Sequence, residues 1–374
     1  MASAREAASR GSCEAGEERS LEDFGQDATP DGPARFLQEG LAGALASLGA
    51  RDWAIGGVCM EAARAMKEDL HHVDFKPHAF SFEGRRYLKP NISELDLDDP
   101  EVASRAPPTL AKALRDLGDA VGEALPKALG ITGRPAIKVQ RNCGGAFPAH
   151  YDNAGPPSNR CITAILYFGG ENDDPQPGDG APRGVDALGC GDALDMNPRN
   201  GPLRDKGGEL LLHPFLSNPT SIAPSLGRLV FFKSDRVLHS VSMWRGGGAR
   251  YAASFWFDSQ NVNSPSDCVL TKDMLNFVSW DACAAFFSRS PLQRTISRAV
   301  CRETYASTLK AAVCGQDVEA MLAAHEKNVE TIGSKLRPLI SELRRRSALA
   351  ADAAAWENGA GRQGAGRDDD AGEK

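Results

Sequence analysis

The chain contains no stretch of roughly 18 consecutive uncharged apolar residues, the length a membrane-spanning helix requires. Its amino terminus lacks the apolar run that follows the first charges of a secretory signal. Cys-x-x-Cys pairs are missing as well. The nine cysteines are an odd number scattered from Cys13 to Cys314, so neither a disulfide framework nor a zinc ribbon is expected. They read as reduced thiols, which predicts a cytoplasmic or nuclear protein with no membrane association. Basic excess is also lacking: 43 Lys/Arg against 50 Asp/Glu, a net charge of −7, argues against a protein that coats nucleic acid. Gly144-Gly145 and Gly207-Gly208 stand outside any GxxxxGK or GxGxxG frame before a helix, so they read as backbone freedom at strand ends rather than phosphate loops. No Gly-x-Ser-x-Gly elbow or Cys/His pairing supplies a nucleophile.

What is present divides the 374 residues into distinct stretches. Residues 1–32 and 350–374 are polar and small-residue-rich and are expected to be disordered tails. Phe36, Leu37, Leu41, Leu45 and Leu48 recur at helical spacing within 33–50, and a strand is expected around Trp53 to Val58. Helices are predicted from about Glu61 to Leu70 and over 109–129, where Leu110, Leu114, Leu117, Val121 and Leu125 share a face. His71, His72 and His78 read as solvated helix-end or loop residues. The segment 91–101, NISELDLDDPE, carries five acids and no base, and a lid selecting basic peptides is one reading of it.

From about 135 the pattern becomes short runs rich in Val, Ile, Tyr and Phe: PAIKVQRN, FPAHYDN, CITAILYF, GELLLHPF, GRLVFFK, LHSVSMW and RYAASFWFD. Repeated strands without intervening helices point to a sandwich, jelly roll or barrel. The Gly/Pro/Asp-rich stretch 169–206 reads as a long inserted loop. After Asp258 helices return. Val318, Leu322, His325, Val329, Ile332, Leu336, Leu339 and Leu343 form a heptad-like seam, interrupted by Pro338, which should kink or end the helix. Packing on the chain's own core is the favoured reading of that seam over a dimer interface. The surface over 289–346, with eleven Lys/Arg against six Asp/Glu, reads as a basic helical face.

In an extended strand residues i and i+2 share a face, so His150 and Asp152 project together while Tyr151 points away. An imidazole and a carboxylate so placed can take two neighbouring positions around a metal. His239, in KSDRVLHSVSMW, is the candidate third ligand, with His213 as its competitor. Two histidines and one carboxylate on one triangular face suit a non-haem Fe(II) oxygenase. Arg250 and Ser254 are expected on one side of a following strand, where a guanidinium fork beside a hydroxyl can hold a terminal carboxylate.

The series HYDN, RCITAILYF, GGELLL, GRLVFFKSDRVLHSV and ARYAASFWF resembles the Fe(II)/2-oxoglutarate-dependent dioxygenases, and more closely the prolyl hydroxylase domain family that senses oxygen by hydroxylating hypoxia-inducible factor. The likeness covers roughly 136–258 and reaches weakly back to about 35. It implies an α+β fold: a double-stranded β-helix (jelly-roll/cupin-like) core over about 135–258, flanked by N-terminal helices, within a dioxygenase domain spanning 33–261. A helical extension over 262–349 follows. The resemblance implies that His150, Asp152 and His239 bind Fe(II), that Arg250 pairs with the distal carboxylate of 2-oxoglutarate, and that Tyr167 and Ser254 assist there. It places Arg160 and Trp256 at the mouth where a proline-containing protein or peptide approaches, and Gln140 where the closest relatives have a tyrosine near the cosubstrate. The cofactors it implies are Fe(II), 2-oxoglutarate, O2 and ascorbate. Asp152 favours hydroxylation, because halogenating relatives carry a small residue there. The longer loops around the opening leave other acceptors open, whether another side chain, a nucleic acid base or a small metabolite. A catalytically silent binding module belongs to a different class, which the intact ligand set disfavours.

Overall fold

A computed structural model describes residues 36–38, 40–46, 48, 52–82, 85–170, 206–261, 269–313 and 317–363. The expected tail 1–32 and most of the insertion, 171–205, lie outside the described residues.

The strands are β1 (Trp53–Gly57), β2 (Lys76–Phe82), β3 (Arg85–Asp96), β4 (Ile131–Asn142), β5 (Phe147–His150), β6 (Arg160–Gly170), β7 (Leu210–Pro214), β8 (Thr220–Ile222), β9 (Arg228–Lys233), β10 (Val237–Val241) and β11 (Arg250–Ser259). The helices are α1 (Leu41–Ala46), α2 (Met60–Leu70), α3 (Pro100–Ala103), α4 (Pro108–Ala124), α5 (Trp280–Arg289), α6 (Gln293–Val300), α7 (Arg302–Ala312) and α8 (Asp317–Gln363). A seven-stranded sheet in the order β1-β9-β6-β11-β4-β3-β2 faces a four-stranded sheet in the order β5-β10-β7-β8. Every pairing between these strands is antiparallel. This is the double-stranded β-helix, with helices on the outside.

Alternation along the strands sorts the core into two layers. Ile162, Ala164, Leu166 and Phe168 of β6 and Phe255 and Phe257 of β11 face outward onto the N-terminal helices, which contribute Leu45, Met66, Leu110, Leu114 and Leu117. The alternate residues Ile165, Tyr167, Val230, Phe232 and Ala252 face inward, where they meet Leu210, Leu212, Ile222 and Val237 of the smaller sheet. The expected dry interior of Ile165, Leu212, Val230 and Phe232 is therefore present. The large sheet is apolar on both faces, as a sheet with covers on both sides must be.

Several expected boundaries shift for local reasons. The first helix begins at Leu41, because Gly40 has φ +89° and Leu37 instead forms a bridge to Val58. Helix α4 stops at Ala124 rather than 129: Leu125 precedes Pro126 and takes an extended ψ of 144°, and a short 3-10 turn follows over Lys127–Leu129. His78 is a strand residue rather than a solvated loop residue, and its Nδ1 lies 2.6 Å from Glu94. The lid reading of the acidic stretch is corrected as well. Residues 91–96 lie within β3, and Glu94 and Asp96 pair with Lys138 of the neighbouring strand at 3.8 and 2.9 Å.

Helix α8 continues to Gln363, into a segment expected to be a tail; the alanine-rich run ALAADAAAW supplies the helix propensity. Its axis breaks at Leu336, two residues before Pro338, where φ −127° and ψ 26° leave helical space. Val329, Leu339, Ile340 and Leu343 of this helix are buried against Ile296, Ala299 and Val300 of α6. The seam thus packs on the chain's own core. His325 is buried within it, its Nε2 3.1 Å from the Arg302 carbonyl oxygen and its ring stacked on Tyr305 at 5.7 Å.

Candidate metal and cosubstrate site

Strands β5 and β10 pair with His150 directly opposite His239, so the two imidazoles enter the interior side by side. Their ring centroids are 4.3 Å apart. The expectation that Asp152 also sits on the strand is corrected: β5 ends at His150, and Asp152 occupies the bend that follows. The carboxylate nevertheless comes to the same side. Asp152 Oδ1 is 3.4 Å from His150 Nε2 and 3.8 Å from His239 Nε2, and the potential ligand atoms of all three residues lie within 4.8 Å of one another. Among the described residues they form the one His/Cys/Asp/Glu group of this kind.

Each ligand is oriented by a partner behind it. His150 Nδ1 is 2.8 Å from the Pro148 carbonyl oxygen and His239 Nδ1 is 3.2 Å from that of Val237. A carbonyl can only accept, so Nδ1 carries the proton in both rings and the Nε2 lone pairs face inward, the tautomer a metal ligand needs. Asp152 Oδ2 accepts from Thr163 Oγ1 at 2.7 Å and from Trp256 Nε1 at 3.0 Å. Thr163 and Trp256 are cross-strand neighbours on β6 and β11, and Thr163 Oγ1 is also 2.8 Å from Ser234 Oγ. One carboxylate oxygen is thereby anchored to the large sheet, and the other is left toward the histidines.

The electrostatics agree with this arrangement. Burial would push the Asp152 carboxyl upward, but His239, His150 and the Thr163 hydroxyl together hold it well below the usual carboxylate range. Burial, reinforced by the neighbouring His150, pushes His239 down to about 4, so it is neutral near pH 7. A neutral imidazole and an ionised carboxylate are the protonation states that coordinate a metal.

The inner face of β11 carries Arg250, Ala252, Ser254 and Trp256 at alternate positions. Arg250 is 2 % exposed; one guanidinium nitrogen donates to the Gly208 carbonyl oxygen at 2.8 Å, and the Tyr167 hydroxyl hydrogen-bonds the same group. Its Nε is buried with no hydrogen-bond partner among the described residues. A buried charge with a donor still unsatisfied fits an anionic ligand in the interior, and the planar fork suits a carboxylate. Two imidazoles and one carboxylate with inward lone pairs likewise fit Fe(II), which favours such a mixed donor set.

Gln140 pairs across β4 with Ala252 and is half-buried on this inner face. Ser254 is buried on it. Arg160 lies with its guanidinium carbon 4.4 Å from the Trp256 ring centre. Trp256, expected at the substrate mouth, is 9 % exposed and spends its one N–H on Asp152, so it reaches a member of the candidate metal group directly. His213 is not brought to the group: it pairs with Leu238, whereas His239 pairs with Leu212, so the two histidines project from opposite faces of the small sheet. Thr163, Ser234 and Lys89 were missed. The Lys89 ammonium lies 3.7 Å from the centre of the Phe147 ring, and burial pushes it down to about 7. Thr163 stands out only as a hydroxyl within the otherwise apolar run CITAILYF; nothing in the residues around Lys89 signals its burial.

Residues 137–258 match the 2OG-Fe(II) oxygenase superfamily. Among solved structures, a prolyl 4-hydroxylase from Phytophthora capsici is 27 % identical and aligns over 87 % of this chain and 98 % of its own, with a TM-score of 0.59. A prolyl hydroxylase from Trichoplax adhaerens, in complex with a hypoxia-inducible factor oxygen degradation domain peptide, is 19 % identical over 59 % of this chain and 90 % of its own, with a TM-score of 0.42. A Pseudomonas putida prolyl-4-hydroxylase is 18 % identical over 59 % and 100 %, with a TM-score of 0.38. No curated protein sequence matches the chain.

Proposed function

We propose that the chain, which resembles the 2OG-Fe(II) oxygenases and among them the prolyl 4-hydroxylases, uses Fe(II), 2-oxoglutarate and O2, and that its acceptor is a prolyl residue in a protein or peptide. When bound, the iron with 2-oxoglutarate and O2 supplies the oxidising power that places a hydroxyl on an unactivated carbon and releases succinate and CO2.

The chain's own residues have separate tasks in this reading. His150, Asp152 and His239 hold the metal on one face, and the Pro148 and Val237 carbonyls with Thr163 and Trp256 fix how those three ligands point. Arg250, hydrogen-bonded to the Tyr167 hydroxyl and with Ser254 further along the same face of β11, receives the distal carboxylate of the cosubstrate through donors that Gly208 does not use. The apolar interior of Ile165, Leu212, Val230 and Phe232 excludes water from the reacting groups. Gln140 and Arg160 border this interior and contact cosubstrate or substrate; a cytoplasmic or nuclear setting and ascorbate as a further cofactor complete the proposal.

The observation that carries the reading is the split role of the Asp152 carboxylate, with Oδ2 tied to the sheet and Oδ1 facing two imidazole Nε2 atoms. The likeness to the Phytophthora capsici enzyme over most of the chain supports proline as the acceptor. The test is a peptide-library assay with Fe(II) and 2-oxoglutarate, read by succinate and by mass spectrometry. One added oxygen on proline is expected. Added oxygen confined to another side chain would replace the acceptor, and absence of metal-dependent turnover with any acceptor would overturn the reading.

A further inference from the structure

Among the described residues, strand β5 is the edge of the four-stranded sheet: β10 pairs with one side of it, and no strand pairs with the other. An open edge leaves backbone groups unpaired and lets the strand shift, which is a poor footing for a segment expected to hold two ligands within fractions of an ångström. Here the edge is covered by the C-terminal helices. The Ala149 amide donates to Thr308 Oγ1 of α7 at 2.9 Å, and that hydroxyl in turn donates to the Thr304 carbonyl oxygen at 2.7 Å. Helix α7 thus provides the acceptor a neighbouring strand would have supplied.

Two residues further on, Tyr151 is packed with Ala149, Leu238, Tyr305 and Cys301, and its hydroxyl hydrogen-bonds Ser297 of α6. Beyond the second ligand, Arg294 of α6 donates from one guanidinium nitrogen to both the carbonyl oxygen and the side-chain Oδ1 of Asn153, each at 3.0 Å. Asn153 in turn closes the loop behind Asp152: its Nδ2 donates to the Arg160 carbonyl oxygen at 2.7 Å, its Oδ1 accepts from the Gly155 amide at 2.8 Å, and its own amide donates to the Ser234 carbonyl oxygen at 2.9 Å. The segment therefore alternates. Residues 149, 151 and 153 are gripped by helices α6 and α7, and the residues between them, His150 and Asp152, face the other way as a ligand pair.

We infer that the C-terminal helices are a working part of the metal centre, with Arg294 and Thr308 acting as positioning residues for His150 and Asp152 across more than 140 positions of chain. This rests on the proposed metal role of those two ligands and extends it to a region outside the family match. The anchors touch neither metal nor cosubstrate; they set the angle and depth at which the ligands enter.

The test uses the metal-free full-length protein and Mn(II) as a redox-silent probe, titrated by calorimetry in the absence of 2-oxoglutarate. Thr308→Val keeps the shape and removes the acceptor, whereas Thr308→Ser restores it; Arg294→Met keeps the length and removes the donors. Loss of such outer contacts weakens metal affinity by about 10–100-fold, so Thr308→Val and Arg294→Met are expected to fall in that range and Thr308→Ser to bind like wild type. The contacts lie on different helices, so if one variant fails to fold the other decides. Wild-type affinity in both removing variants overturns the inference and leaves the metal reading standing. A wild-type protein that takes up no Mn(II) overturns the metal reading and the inference together.

Discussion

Replacing Trp256 with phenylalanine separates two roles for that residue. In the structure its indole N–H is one of two donors holding Asp152 Oδ2, at 3.0 Å, with Thr163 Oγ1 at 2.7 Å as the other. Phenylalanine preserves the ring under the Arg160 guanidinium and deletes only the donor. A hydrogen bond to an ionised group contributes about 1.5–3 kcal/mol, and 1.4 kcal/mol is a factor of ten. If the whole loss fell on the metal-binding orientation of the carboxylate, Mn(II) affinity would drop by about 10–150-fold. Thr163 still restrains the same oxygen, so the lower end is expected, about tenfold. Calorimetry on the metal-free protein gives the affinity directly, and steady-state succinate formation gives the KM for peptide. Weakened metal binding with an unchanged peptide KM supports the anchor role. Unaltered metal affinity with a raised peptide KM would refute it and return Trp256 to the substrate mouth.

Arg250→Lys keeps the charge but leaves one ammonium to serve both Gly208 and the cosubstrate carboxylate; losing a charge-assisted bond of about 1.5–3 kcal/mol predicts a KM for 2-oxoglutarate raised by about 10–150-fold with Mn(II) binding unchanged, and an unchanged KM would remove the arginine from the cosubstrate site. Gly208→Ala forces a side chain onto φ +77° and sets a Cβ 2.9 Å from the Trp244 ring and 3.1 Å from Arg250 Cδ; a loss of about 1–2 kcal/mol in stability is expected with a raised 2-oxoglutarate KM, and wild-type values for both would contradict the close approach. For His213 burial pushes the imidazole down to about 4, against an unfolded value near 6.5. Between those values the unfolded chain takes up a proton that the folded chain refuses, so stability falls as the pH drops through this window and the penalty is absent above it. His213→Gln removes that penalty, and urea unfolding at pH 5 should show a gain on the order of 1–2 kcal/mol relative to pH 7.5; an identical pH dependence in variant and wild type would show that His213 titrates normally.

The strands that build the interior were legible because each alternates or runs apolar between turn residues, as in CITAILYF and RYAASFWFD. Strands β2 and β3 were not: Pro77, Pro90 and Asn91 interrupt them, and the inward residues of β3 are Glu94 and Asp96, polar because they pair with Lys138 and His78. Same-face spacing brought His150 and Asp152 together for a partly mistaken reason. The strand ends at His150, and the bend carrying Asp152 is held by Asn153, Thr163 and Trp256, contacts that no local pattern reveals. Trp256 was assigned by resemblance to the mouth of the site, and only the register of β11 against β6 brings its N–H to the carboxylate. The anchors in α6 and α7 were equally hidden, since Arg294 and Thr308 lie in a region that the sequence marks only as helical and basic, with no sign of what it packs against. Most of the insertion expected over 169–206, residues 171–205, lies outside the described residues.

In the proposed function His150, Asp152 and His239 hold one iron whose reaction consumes 2-oxoglutarate. Its most direct test is succinate formation from 2-oxoglutarate by purified protein with Fe(II) and a proline-containing peptide, compared between wild type and Asp152→Ala. Fe(II)-dependent succinate is expected from wild type, enhanced by the peptide, and none above background from the variant. Equal succinate from both proteins, or none from wild type with any peptide, would contradict it.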